Sequence, residues 1–152
     1  MRLIFGFLAA LIVTYIVAVL GYTQLNLANL TEMGVKISLG VRFESAIHDL
    51  VGMIQIYLPI LAASLLIAFS VAEWLASRVK ELRVLFFISL ALLVPSAVDF
   101  LLTFSFWGLN IVQNIHPIAV TRTTAGVLSQ SVACALGGFV FCFIVSSREA
   151  DD

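Results

Sequence analysis

Few residues in this chain can do chemistry, and Asp99 is the first of them. It lies inside a long apolar run, residues 84–107, with Ser96 at i−3 and Thr103 at i+4. That spacing puts the three side chains on one helical face. A carboxylate in apolar surroundings is costly unless it is paired, hydrogen-bonded, protonated or wetted, so it must face other helices or a polar crevice. Pro95, one turn earlier, removes a backbone bond beside it. The cation best placed to reach Asp99 is Arg122, where the next apolar run begins, with Arg42 as the alternative. Two readings follow. Asp99, Ser96, Thr103 and Arg122 form a clasp tying two helices, which is favoured because Asp99 sits off-centre in its run, or they form a proton- or ion-sensitive site.

A second group gathers Glu44 and His48, which share a face at i, i+4, with Asp49 next to them and His116 just before Pro117. Two imidazoles and a carboxylate are a fair ligand set for a divalent metal with open positions. The simpler reading is favoured: Glu44 and Asp49 are acids near the positive end of a helix. The chain has no HExxH motif, CxxC pair, nucleophile elbow or Gly-rich phosphate loop. The sequence therefore implies no cofactor, and whether it encodes an enzyme stays open. Cys134 and Cys142 fall eight positions apart in one apolar run. On a helix that is about 12 Å, too far for a disulfide, so both read as small buried hydrophobes.

These residues are set in an unusual background. Of 152 residues, 62% are hydrophobic and 11% charged, against roughly 45–50% and about 25% in soluble domains. That composition excludes a soluble globular domain, a disordered chain and a disulfide-stapled module. A net charge of −1 gives no field to attract nucleic acid. What remains is an all-α integral membrane protein. Apolar runs at about 3–22, 50–74, 84–107 and 123–145 each meet the roughly 20 residues that a crossing needs. They predict an up-down four-transmembrane-helix bundle forming one domain over 1–152. The first run follows Arg2 and offers no clean small-x-small cleavage site, so it is expected to remain as a span.

Five of the eight basic residues, Arg2, Arg78, Lys80, Arg83 and Arg148, fall on the side of the termini in this topology. The positive-inside rule then makes both termini cytoplasmic. Tyr22, Trp74 and Trp107 lie at run ends, where amphipathic rings prefer the interface. Residues 23–49 form the sizeable extracytoplasmic loop, and alternation at 35–41 predicts a short β or extended segment within it. Short connections lean toward a bacterial inner membrane.

Lipid tails are as apolar as leucine, so helices associate where small residues allow close approach. Gly6, Ala10, Thr14 and Ala18 recur every four residues in the first run; Ala125, Ser129, Ala133 and Gly137 do so in the fourth. The simplest arrangement pairs these two stripes within one chain, and the alternative uses one of them between chains. Pro59 and Pro95 predict kinks in the second and third spans.

With so sparse a chemical inventory, the expected role is a non-catalytic structural or accessory subunit. It self-associates as a homo-oligomer or packs against a membrane-protein partner, in contact with membrane lipid. The alternatives are an oligomeric small transporter or channel using Asp99, and a membrane enzyme acting on a lipophilic substrate from an outer-leaflet site.

Overall fold

Residues 3–31 contain no proline and no charged side chain, so nothing in the chain stops a helix at Tyr22. In the computed structural model, α1 runs Arg2–Glu32, 31 residues and about 46 Å at 1.5 Å per residue. The structure describes residues 2–78, 82–108 and 123–146, with side chains described except at 98–108 and 146. α1 ends at a glycine. Gly34 has φ 89°, its N–H donates to the Thr31 carbonyl at 3.0 Å, and the Val35 N–H reaches back to Leu30 at 3.2 Å. This Schellman closure satisfies the last carbonyls through one left-handed residue.

Ser38 then opens α2 (Leu39–Gly52), its hydroxyl accepting from the Val41 N–H at 3.4 Å. The alternation at 35–41 therefore straddles a linker and a helix start, and the short β segment expected there does not form: no strand occurs among the described residues. Most of the expected 23–49 loop is helix as well. Turns at 53–56 separate α2 from α3 (Tyr57–Ala76). Pro59 accordingly does not kink a span that starts at residue 50. With Ile56 as N-cap it occupies the first turn of α3, where backbone N–H groups have no intrahelical partner to lose. α4 (Arg83–Gly108) carries Pro95 in its interior and stays helical through it. α5 (Thr124–Ser146) follows, with Thr123 Oγ1 accepting from the Gly126 N–H at 3.0 Å.

The described chain is thus all-helical, with five helices. Three of them, α1, α3 and α5, are long and apolar enough to cross a membrane. Matching levels along the helices fix their directions. Phe7 meets Phe69 and Tyr15 meets Tyr57, so α1 and α3 are antiparallel. Phe69 meets Phe87 and Glu73 meets Arg83, so α3 and α4 are antiparallel.

α5 lies between α1 and α4, and two adjacent glycines let it approach both. A Cβ on Gly137 would land on Thr14 Oγ1 and lie 3.1 Å from the Ala10 carbonyl of α1. A Cβ on Gly138 would lie 2.7 Å from the Phe87 carbonyl of α4. Near this approach the four long helices meet in an aromatic cluster. The Phe141 ring of α5 is 4.7 Å from Phe69 and 5.1 Å from Phe87, and Phe7 stands edge-on to Phe69 at 6.2 Å. Such pairs each add about 0.5–1.5 kcal/mol beyond the area they bury.

Gly138→Ala should lower stability by about 1–3 kcal/mol, because its methyl meets backbone that cannot turn aside. Gly52→Ala, with nothing within 4 Å of the added carbon, should be neutral or gain up to about 1 kcal/mol. Thermal unfolding of both variants in one detergent compares them.

Candidate functional site: a polar seam joining α1, α2, α3 and α5

Where α2 breaks into α3, α1 supplies one missing backbone hydrogen bond and α5 bonds the side chain of the first residue of α3. The last carbonyls of α2 have no partner within their own helix. Tyr15 of α1 donates its phenol to the Leu50 carbonyl at 2.6 Å. Two turns further along α1, the buried Thr23 hydroxyl lies 2.7 Å from Asp49 Oδ2 and 3.0 Å from its own Val19 carbonyl, so one proton is shared between two acceptors. Its contact with the carboxylate ties α1 to α2 at a second level.

On the other side of Tyr15, the ring of Tyr57 sits 6.1 Å away, centroid to centroid. Its phenol donates to Gln130 Oε1 of α5. Gln130 is buried, and its Nε2 donates in turn to the Ala18 carbonyl of α1 at 3.1 Å. One amide side chain therefore braces α3, α5 and α1 together. A buried polar group without a partner costs about 1–3 kcal/mol, so this set of bonds fixes register as well as adding cohesion.

The small-residue face of α1 runs alongside this seam. Gly6, Ala10, Thr14 and Ala18 are all buried, with Gly6 against Val145 and Phe141 of α5. On α5, Ala133 and Gly137 are buried, and Ser129 lies against Gly21 of α1. Ala125 is exposed, and its neighbour Gly126 is the buried residue at that end. Cys134 and Cys142 are buried, unpaired thiols.

The acid and histidine candidates fall only partly within the described residues. Glu44 and His48 are exposed on α2, with the His48 side chain 86% exposed and its Nδ1 3.9 Å from Asp49 Oδ1. His116 lies outside the described residues. Among those described, no three His, Cys, Asp or Glu side chains gather closely enough to hold one ion. Asp99 and Thr103 belong to α4, in the stretch whose side chains lie outside the described set, and Arg122 lies outside it altogether. Ser96 is exposed on α4. Arg42 donates to Gln24 Oε1 at 3.0 Å.

The described geometry thus centres on Tyr15, Thr23, Asp49, Tyr57 and Gln130. The sequence groups Asp49 with the histidines rather than with α1. Tyr15 and Thr23 give no sequence signal, since their partners are 35 and 26 positions away. Chemically the arrangement is a lock between helices: each of these polar groups faces a partner on another helix.

A double-mutant cycle on Tyr57→Phe and Gln130→Leu should show a coupling of roughly 0.5–3 kcal/mol in detergent unfolding. The same cycle on the exposed pair Gln24→Ala and Arg42→Ala should give less, because water replaces the lost partner there. Compared with known proteins, this chain matches no family model, no curated protein and no solved structure.

Proposed function

We propose that the chain is a four-span membrane protein, crossing as α1, the broken α2–α3 pair, α4 and α5, with both termini cytoplasmic. Its role is that of a non-catalytic accessory subunit that docks on a partner through its outer end. The basic residues clustered around the α3–α4 connection support this orientation. Short connections favour a bacterial inner membrane.

The observation that carries the docking role is the length of α1. About 20 residues cover the hydrocarbon, yet α1 has 31. Beyond Tyr22 its sequence turns polar, with Gln24, Asn26, Asn29 and Glu32. The hairpin made by the end of α1 and the start of α2 therefore projects past the apolar zone. It carries Met33, Leu39 and Phe43 at 72%, 83% and 71% exposure. Within hydrocarbon such side chains would be at home; above it they are wetted, and covering them with protein is favourable by about 1.5–3 kcal/mol each.

Light scattering or native mass measurement in mild detergent tests the reading. The wild-type particle should exceed the 16.5 kDa of one chain. Leu39→Glu combined with Phe43→Glu should weaken the assembly tenfold or more while leaving helical content unchanged. A strictly monomeric wild type, at the lowest detergent that keeps it soluble, would overturn the proposal. Flux from reconstituted vesicles that is pH-dependent and lost in Asp99→Asn would favour the transport reading instead.

A further inference from the structure

Between the first turns of α1 and the last turns of α3 runs an open groove of about 750 Å³. That falls in the range of ligand-sized clefts, about 300–1,000 Å³. Its floor is aromatic: Phe7, Phe69 and Phe141. Leu3 and Ile4 of α1 form one wall. The other wall is a single face of α3 whose character changes along its length, from Leu66 through Ser70 to Glu73, Trp74 and Ser77 at the helix end. Hydrocarbon deep and polar groups at the mouth is the profile of a phospholipid read from chain to headgroup.

Charge at the mouth narrows the class. The Glu73 carboxylate is engaged through both oxygens by Arg83, at 3.0 and 3.1 Å. It is therefore already partnered and poorly placed to receive the ammonium of a zwitterionic headgroup. Beside it, the exposed Arg78 guanidinium lies 5.5 Å from the centroid of the Trp74 ring, which forms the groove's rim. A planar donor fork held over an aromatic rim suits a phosphate, and its positive charge favours a lipid with net negative charge. The serines act differently: Ser70 and Ser77 donate their hydroxyl protons to the Leu66 and Trp74 carbonyls, at 2.7 and 2.6 Å. Among the described groups at the mouth, Arg78 is the cation seated over the rim.

We propose that this groove seats one acyl chain of an anionic phospholipid from the surrounding leaflet, with the lipid phosphate at Arg78 and the upper acyl segment against Trp74. The inference requires only that these helices lie in a bilayer, and it does not depend on the partner reading above.

Trp74 reports on its own neighbour. The chain has two tryptophans, so Trp107→Phe leaves Trp74 as the sole emitter. This variant is reconstituted in phosphatidylcholine vesicles carrying a small share of acyl-brominated phosphatidylglycerol or, in parallel, acyl-brominated phosphatidylcholine. Bromine quenches tryptophan on contact. The brominated anionic lipid should quench Trp74 with roughly fivefold preference over the zwitterionic one, as expected for one arginine near the surface. Arg78→Gln should bring the two lipids to parity, and Ser70→Phe, which fills the groove from an exposed position, should reduce quenching by both. Equal quenching by the two lipids in the Trp107→Phe parent would mean ordinary surrounding lipid and overturn the proposal. So would a preference that survives Arg78→Gln, or the absence of quenching by either lipid because a second copy occupies the groove.

Discussion

The arrangement of the helices rests on the space left by Gly137 and Gly138 of α5. Successive residues on a helix point about 100° apart, so adjacent glycines open two different faces at one level. One face receives Thr14 and the Ala10 carbonyl of α1; the other receives the Phe87 carbonyl of α4. In an apolar solvent there is little gain from burying leucine against leucine, and helix association depends on contacts that only small residues permit. Because α5 meets α1 and α4 at the same height, Phe141, one turn further on, can lie against Phe69 and Phe87 at once. The aromatic cluster follows from the glycines: with larger residues there, α5 would be held away from both neighbours and the rings would not meet.

Toward the other end, cohesion changes from packing to hydrogen bonding. There the second apolar run is interrupted, and an interruption leaves carbonyls and N–H groups without helical partners. Tyr15 serves the end of α2, while Gln130 joins the first residue of α3 to the Ala18 carbonyl of α1. Tyr15 thus satisfies one carbonyl freed at the break, as irregular backbone in apolar surroundings requires. Pro59 belongs to the same arrangement. It sits in the first turn of α3, where it cannot serve as an interior helix donor and does not need to.

How much of this the sequence carries depends on the range of the interaction. Apolar runs translate directly into helices, so the three long apolar helices follow from composition and length alone. Local terminators are equally legible in principle: Gly34 after α1 and Ser38 before α2 are a C-terminal glycine and an N-cap residue. They are masked by the two-residue alternation between and beyond them, which imitates a strand. A run of seven alternating residues that includes a cap residue is therefore weaker strand evidence than the same run without one. The Gln130–Ala18 bond joins positions 112 apart, and no spacing rule reaches that far. The same distance effect applies to Arg42 and Gln24, 18 positions apart on different helices: a charge pairs with what the fold brings near it.

The two ends of the molecule also differ in how they treat polar residues, and that difference bears on function. At the end shared by the start of α1 and the end of α3, the described charges stand at the rim, with Glu73 held by Arg83 and Arg78 lying over Trp74. There the charges lie outside and the aromatic rings of Phe7, Phe69 and Phe87 further in. At the opposite end, α1 continues past its apolar stretch, and α2 returns alongside it through Thr23–Asp49 and Gln24–Arg42. These bonds use the inward side of α2, while Leu39, Phe43, Ile47 and Val51, spaced four apart, remain on the outward side. Polar bonds inward and apolar side chains outward give α2 two unlike faces, one holding it to α1 and the other left uncovered by the described chain.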